Sequence, residues 1–382
     1  MNPSLKSTLP QPEKAILIAC EYATKGIDEV QDSIRELAEL ATATGVVVMD
    51  QLIQKRQQPD PRTYLGRGKI SELKGMLKQQ GGSLVIADDE LTSTQLRTVE
   101  ESLQVKVVDR SQVILDLFAA RAQSREGKIQ VELAQLEYLL PRLVGSQRRL
   151  SRLGGGIGTR GPGETKLEMD RRLMRRRIHK LREDLETIRK ERSLLRHGRK
   201  TFFLVSLLGY TNAGKSALFR ALTGTETLVS SQLFSTLDPK IRRARTDNGI
   251  LFSDTVGFIR KIPHHLFTAF RATLEEVQDA DLLLLVVDGS DPRALDHLVV
   301  AKELMIELEI SSKPMITVIN KLDLAGCAQQ LQLLLRTQQS ALQVSALTGE
   351  GVDRLMSEIK LEKERHRSDV AMTNAPIRSN VT

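Results

Sequence analysis

The sequence predicts an α/β protein in which a small α/β domain and a helical hairpin precede a larger domain with a doubly wound, mostly parallel sheet. Two stretches, residues 15–125 and 201–365, alternate apolar, β-branched runs with helical patterns. Such alternation with short connections is typical of parallel sheets covered by helices. Between them, residues 126–200 repeat apolar residues at heptad spacing. The polar ends, residues 1–14 and 366–382, are expected to be disordered.

The first domain is predicted from short apolar strands that alternate with helical patterns. The strands are expected at residues 15–20, 45–50, 83–88 and 105–109, and the helices at 27–44, 69–80 and 92–103. Gly66-Arg67-Gly68-Lys69 opens the second helix. Its glycines could approach an anion, but a turn that caps the helix start is the preferred interpretation.

The middle region is predicted to form an antiparallel coiled-coil hairpin of two helices. The first apolar seam is Ile129, Leu133, Leu136, Leu140 and Leu143, and the second is Met174, Ile178, Leu181, Leu185 and Ile188. The alternative is two amphipathic helices that lie on a globular core. Strongly charged outer faces favour the hairpin. Pro141 is expected to end or kink the first helix.

Positive charge is concentrated in this middle region. Residues 142–200 contain nineteen Lys and Arg against seven Asp and Glu, a net charge of +12. The whole chain carries +8, so the remainder carries −4. A local basic field of this size indicates a polyanionic partner.

The predicted tip loop, residues 144–166, combines glycines with arginines. Glycines free the backbone, and arginines contact phosphates and stack on bases. The loop is therefore predicted to contact structured RNA, and the alternative is a linker with incidental arginines. The residues assigned to RNA contact are Arg148, Arg149, Arg152 and Arg160.

Bulk properties point to a cytoplasmic protein. No apolar run approaches the roughly 18 to 20 residues of a membrane helix, and no secretory signal is evident at the start. The two cysteines, Cys20 and Cys327, form neither a metal-binding pattern nor a disulfide framework. We therefore expect no membrane anchor and a reducing compartment. We also expect a monomer.

Residues 209–216 read G-x-x-x-x-G-K-S, the pattern of a phosphate-binding P-loop. An apolar run precedes them and a helical pattern follows, so backbone N–H groups and a helix N-terminus would face phosphate oxygens. Lys215 is expected to reach the β- and γ-phosphates, and the Ser216 hydroxyl to bind Mg²⁺. The predicted phosphate-binding residues are Gly209, Asn212, Ala213, Gly214, Lys215, Ser216 and Ala217.

Two further segments complete the predicted phosphate site. Asp254 ends a strand-like run, where it would bind Mg²⁺ through water, and Gly257 can offer its N–H to the γ-phosphate. Thr236 is the candidate switch threonine that reaches Mg²⁺. Lys215, Thr236 and Gly257 are therefore assigned to catalysis, with Mg²⁺ as the cofactor.

A third motif selects the base. Asn320, Lys321 and Asp323 form an N-K-x-D pattern after a strand-like run. A carboxylate at the last position can accept hydrogen bonds from guanine N1–H and N2–H₂, which adenine does not present in this way. Ser345 and Ala346 would complete the pocket, the latter through its backbone. The substrate is therefore predicted to be GTP, and the larger domain to be a P-loop GTPase domain.

The residue after Gly257 is Phe258, where Ras-type GTPases have the glutamine that orients the attacking water. Phenylalanine cannot orient or polarise water. Intrinsic hydrolysis is therefore predicted to be slow and to need a partner.

Several long segments resemble the HflX-type ribosome-associated GTPases. They are residues 64–69, 88–97, 108–118, 125–136, 161–168 (G-P-G-E-T-K-L-E) and 254–260. The resemblance implies that the GTP-bound protein binds the large ribosomal subunit and its RNA, helps split stalled or idle ribosomes, and is stimulated by the subunit. The alternative is a GTP-regulated RNA-binding adaptor of ribosome assembly or modification that does not split ribosomes.

Overall fold

The computed structural model describes residues 12–22, 26–143, 162–197, 201–224, 240–261, 277–324, 328–338 and 340–373. The chain divides into two compact units. The first comprises Met1–Ala120, Lys128–Asp184 and Lys261–Leu266, and the second comprises Arg121–Gly127, Leu185–Arg260 and Phe267–Thr382.

The first unit contains a four-stranded parallel sheet of order β2-β1-β3-β4. Its strands are β1 (Lys14–Glu21), β2 (Val47–Lys55), β3 (Leu84–Ala87) and β4 (Lys106–Asp109), and its helices include α1 (Ile27–Ala43), α2 (Arg67–Gln80) and α3 (Ser93–Leu103). The central strands β1 and β3 are buried on both faces, whereas the edge strand β2 is largely half-exposed. This parallel sheet with its helices confirms the predicted α/β class. Continuous apolar runs predict such strands because both of their faces are covered.

Helix starts in this unit follow local hydrogen bonding. Thr92 caps α3 in a reciprocal capping box with Gln95, which satisfies two donors at the helix start. No side chain caps α2, and the Gly66 N–H instead donates to the Gln54 side chain at 2.7 Å. The glycine segment thus lies in a turn at the helix start.

Helices α4 (Arg110–Arg121) and α5 (Arg125–Leu139) follow β4, and the end of α5 is fixed at the carboxyl end of that strand. The Tyr138 hydroxyl donates to Asp109 at 2.8 Å, and Arg142 donates to the same carboxylate at 3.2 Å. The Arg142 guanidinium also lies 3.5 Å from the centroid of the Tyr138 ring. Helix α5 ends before Pro141, which lacks the N–H that would continue it.

The long basic helix α6 (Pro162–His197) buries Ile178, Leu181 and Leu185 of the predicted second seam. Two ion pairs join it to α5: Glu132–Arg177 at 2.7 Å and Glu137–Arg182 at 2.6 Å. Residue numbers rise together in these pairs, so these contacts correspond to a parallel helix pair.

The predicted antiparallel direction is therefore corrected over these contacts. Heptad spacing determines which face is buried, but it leaves the direction of the partner open. The predicted tip loop is also too long at its end, because residues 162–166 belong to α6. Proline at the first helical position and glutamate in the first turn both favour a helix start there. Residues 144–161 lie outside the described residues.

The second unit contains a six-stranded sheet of order β10-β9-β8-β5-β7-β6. The strands are β5 (Phe203–Gly209), β6 (Lys240–Arg243), β7 (Ile250–Asp254), β8 (Leu282–Asp288), β9 (Met315–Asn320) and β10 (Leu342–Gln343). All neighbours are parallel except β6, which is antiparallel to β7. Because β5 lies between β7 and β8, the strand order reverses beside it, where doubly wound sheets bind ligands at the carboxyl ends of the strands.

The helices described in this unit include α7 (Lys215–Thr223), α8 (Ala294–Glu307), α9 (Ala328–Thr337) and α10 (Val352–Thr373). Helix α10 extends beyond residue 365, where the sequence predicted the domain to end and a disordered tail to begin. Two i,i+3 ion pairs, Glu362–Arg365 and Glu364–Arg367, lie at and across this boundary, a spacing that stabilises exposed helices. Among the described residues, no helix combines enough length and apolar character to cross a bilayer.

Candidate nucleotide site

The phosphate loop connects the end of β5 to the start of α7, and two glycines allow it to pass close to neighbouring strands. Gly209 has φ +143°, and a Cβ there would lie 2.1 Å from the Val286 carbonyl oxygen on β8. Gly214 has φ +87°, and its Cβ would lie 2.2 Å from the Asn320 side-chain nitrogen at the end of β9. A larger residue at either position would move the loop away from these strand ends.

Lys215, the first residue of α7, is buried within the loop. Its Nζ donates to the carbonyl oxygens of Gly209 at 3.1 Å and Tyr210 at 2.7 Å. Burial lowers the pKa of this ammonium to about 8, with Asp254 opposing the shift and Lys321 adding to it. The lysine therefore stays mainly protonated at neutral pH, with its charge directed into the phosphate loop.

This lowered pKa predicts that GTP binding becomes pH-dependent above about pH 8. Bound phosphates would raise the pKa of Lys215 again, so binding would take up a proton and the affinity would fall as the pH rises through about 8. Calorimetry at about pH 8.5 in buffers of different ionisation enthalpy should detect this uptake. Phosphate groups (pKa about 6) are fully ionised at that pH, so the protons taken up can be assigned to the protein. Lack of proton uptake at that pH would contradict the prediction.

The two described residues assigned to Mg²⁺ lie together. The Ser216 hydroxyl donates to Asp254 Oδ2 at 2.8 Å, and Asp254 is buried at the end of β7. A hydroxyl beside a carboxylate is a donor set that suits Mg²⁺, which prefers oxygen ligands and keeps several waters. Thr236, the third assigned residue, lies outside the described residues.

The segment after β7 is joined to the phosphate loop by backbone hydrogen bonds. The Phe258 N–H donates to the Gly209 carbonyl at 2.9 Å, and the Thr211 N–H donates to the Phe258 carbonyl at 2.8 Å. Gly257 therefore lies close to the loop: a Cβ on it would be 2.9 Å from both the Thr211 Cα and Lys215 Nζ. Phe258 itself is buried. The predicted γ-phosphate residues Lys215 and Gly257 are thus neighbours.

The residues of the predicted base pocket are also brought together. The Asn320 side chain donates to the Ala213 carbonyl at 3.0 Å and accepts from the Ala346 N–H at 3.0 Å. The Ser345 hydroxyl donates to Asp323 at 2.5 Å, while Asp323 remains exposed. Asn320 thus links the phosphate loop to the Ser345–Ala346 segment, and the Asp323 carboxylate is accessible to a base.

The remaining predicted residues lie around these two groups or outside the described residues. Asn212 is exposed with φ +63°, and Ala217 is half-buried in the first turn of α7. Lys321 has φ +67° and pairs with Asp288 at 2.6 Å. The arginines assigned to RNA contact, Arg148, Arg149, Arg152 and Arg160, lie outside the described residues.

Two contacts at the site were not predicted from the sequence. The Lys321–Asp288 ion pair joins the ends of β9 and β8. The Tyr210 ring stacks on His297 of α8, with centroids 3.8 Å apart and an interplanar angle of 6°. Tyr210 occupies a variable position of the phosphate-loop pattern, and His297 belongs to an ordinary helical pattern. The sequence around either residue therefore does not predict that the two rings stack.

The fold and the site together define a P-loop GTPase. "GTPase HflX" of Lacrimispora saccharolytica is 48% identical to this chain, over 90% of the chain and 82% of that protein. "GTPase HflX" of Escherichia coli is 39% identical, over 94% of the chain and 84% of that protein. The chain belongs to the HflX family of GTPases, and GTP hydrolysis is the reaction that it catalyses.

Family models match three consecutive parts of the chain. They are described as "GTP-binding GTPase N-terminal" (residues 31–119), "GTP-binding GTPase Middle Region" (121–199) and "50S ribosome-binding GTPase" (204–321). A solved structure of SsGBP in complex with GDP is similar, with a TM-score of 0.53 and 25% identity. The similarity covers 92% of this chain and 99% of that one.

Proposed function

We propose that this protein is a GTP-hydrolysing factor that binds the large ribosomal subunit and its RNA and promotes the splitting of stalled or idle ribosomes. The observation that carries the proposal is the match of its GTPase domain, residues 204–321, to a family described as 50S ribosome-binding GTPases. A monomeric, cytoplasmic protein fits this role.

The exposed charge of α6 supports an RNA partner. From Glu168 to Arg182 the helix has seven Lys and Arg against two Asp and Glu. Two of the arginines pair with glutamates of α5. Arg172, Arg175, Arg176 and Lys180 are exposed, and none of them forms an ion pair within the described part of the chain. Unneutralised cations along one helix provide the electrostatic attraction that phosphate backbones require.

Hydrolysis would proceed by in-line attack of water on the γ-phosphate, catalysed by positioning and electrostatics. The Lys215 ammonium and the backbone amides of the phosphate loop and Gly257 would stabilise the charge that develops on the phosphate oxygens. Ser216 and Thr236 would hold Mg²⁺, with Asp254 acting through water, and the ion would neutralise part of the phosphate charge. Asn320, Lys321, Asp323, Ser345 and Ala346 would hold the guanine.

Phe258 explains why the ribosome would be needed for fast turnover. Its side chain is buried and apolar, and both of its backbone polar groups are bonded to the phosphate loop. It therefore offers no group that could orient water. The large subunit would stimulate hydrolysis by ordering the segments around the γ-phosphate or by supplying the missing group.

Sedimentation tests the proposal directly. Intact ribosomes are mixed with the protein and GTP, a non-hydrolysable GTP analogue or GDP, and separated on a sucrose gradient. Splitting predicts that GTP and its analogue convert intact ribosomes to subunits and that GDP does not. An adaptor that only docks would co-sediment and leave the ribosomes intact. In parallel, large subunits should raise the hydrolysis rate by about a hundredfold or more, and small subunits should not.

Four arginines between residues 144 and 161 give a separate prediction for RNA contact. Replacement of Arg148, Arg149, Arg152 and Arg160 by Ala should weaken binding to the large subunit and lower the slope of log affinity against log salt by about 3, because phosphate contacts release counterions. GTP affinity should not change. The matched control replaces four exposed cations elsewhere: Arg62, Lys78, Arg354 and Arg367. Equal effects of the two sets would mean that the loop makes no specific contact.

A further inference from the structure

Tyr210 of the phosphate loop contacts several elements that meet at the γ-phosphate position. Its carbonyl accepts from Lys215 Nζ at 2.7 Å, and its backbone forms a bridge with Phe258. Its buried hydroxyl accepts from the backbone N–H of Arg260 at 2.9 Å. The same residue therefore holds both the phosphate lysine and the segment that follows β7.

The ring of Tyr210 is supported from α8. It stacks on His297, which is buried and has Nδ1 3.6 Å from Asp291 Oδ2. The Asp291 carboxylate is itself fixed by the Arg293 N–H at 2.9 Å. Burial lowers the pKa of His297 to about 4, so the imidazole is neutral at pH 7 and the stack joins two uncharged rings. The position of the Tyr210 hydroxyl is thus set by α8.

The segment that Tyr210 holds, residues 257–260, is the one whose placement matters for hydrolysis. Gly257 lies next to Lys215, close enough that an added Cβ would be 2.9 Å from Nζ. Because Gly257 has no side chain and Phe258 has no side-chain group for water, these two residues can contribute to hydrolysis only through their backbone. A backbone amide stabilises a developing charge only when it is held at hydrogen-bond distance from it.

We propose that Tyr210 is a positioning residue for GTP hydrolysis and that His297 supports it in this role. The hydroxyl keeps residues 257–260 against the phosphate loop, so that the Gly257 backbone stays beside Lys215 at the γ-phosphate position. The inference rests on the GTPase activity of the family and is independent of ribosome splitting.

Single-turnover hydrolysis at saturating GTP, without ribosomes, tests this role. Tyr210→Phe removes the hydroxyl and keeps the ring, and should lower the rate constant by about threefold to tenfold, the effect of one lost hydrogen bond. GTP and GDP affinities should stay within about twofold, because the hydroxyl is bonded to Arg260. His297→Ala should lower the rate similarly, and His297→Phe, which can still stack, should restore most of it.

Tyr138→Phe is the matched control, because it also removes a buried tyrosine hydroxyl, there bonded to Asp109 in the first unit. It should leave the hydrolysis rate unchanged. The proposal is overturned if Tyr210→Phe hydrolyses GTP at the parent rate or faster. It is also overturned if the affinities for GTP and GDP fall by the same factor as the rate constant, because the hydroxyl would then serve nucleotide binding. Failure of ribosome splitting by the parent protein would leave this result unaffected, so the two proposals can fail separately.

Discussion

Asp323→Asn is expected to lower the affinity for GTP by about a hundredfold to a thousandfold and to create affinity for xanthosine triphosphate. The Asp323 carboxylate is exposed and its orientation is fixed by the Ser345 hydroxyl at 2.5 Å. It would accept from guanine N1–H and N2–H₂. The asparagine amide can present only one acceptor, and its NH₂ group would face a guanine donor and leave it unpaired.

Xanthine has a carbonyl oxygen in place of the guanine N2 amino group. The asparagine NH₂ can donate to this oxygen, at the place where the aspartate carboxylate would accept from the guanine amino group. Equilibrium titration with GTP, ATP and xanthosine triphosphate measures the exchange of specificity. Asp353→Asn is the control, because this aspartate is exposed in the first turn of α10. GTP affinity that stays within about fivefold of the parent would show that the base is chosen by other groups.

The proximity of the proposed base-pocket residues to the phosphate loop could be predicted because these residues lie at the ends of strands. Parallel strands bring their carboxyl ends to one edge of a sheet, so motifs that are far apart in sequence must meet there. Asn320 and Ala346 follow this rule, since both come at or after a strand end and they form a hydrogen bond at 3.0 Å. The strands were themselves predictable because continuous apolar runs such as β8 are buried on both faces.

Other features depend on contacts for which the sequence has no local signal. The seam of α6 was predicted, but the direction of its partner is decided by the contacts of Glu132 and Glu137 with Arg177 and Arg182. The stack of Tyr210 on His297 joins a loop to a helix that is distant in sequence. The extension of α10 rests on exposed charges at helical spacing, which are as typical of a disordered tail as of a helix.

Gly257→Ala is expected to lower the single-turnover rate of GTP hydrolysis by about a hundredfold while GDP affinity changes by less than about threefold. The new Cβ would lie 2.9 Å from the Thr211 Cα, a backbone atom. Thr211 cannot simply move away, because its N–H is bonded to the Phe258 carbonyl at 2.8 Å. Residues 257–258 must therefore shift from the loop. A displacement of about 1 Å at a reacting group can cost about a hundredfold in rate.

GDP affinity separates this effect from general damage to the site. The proposed base pocket uses Asn320, Asp323 and Ala346, and GDP lacks the phosphate that Gly257 would contact. Gly75→Ala is the matched control, since it lies in α2 and its added Cβ meets nothing within 4 Å. If Gly257→Ala hydrolysed GTP as fast as the control, the prediction would be wrong. The position of residues 257–258 against the phosphate loop would then not be needed for hydrolysis. The hydrogen bonds that Phe258 makes to Gly209 and Thr211 would then have no part in hydrolysis.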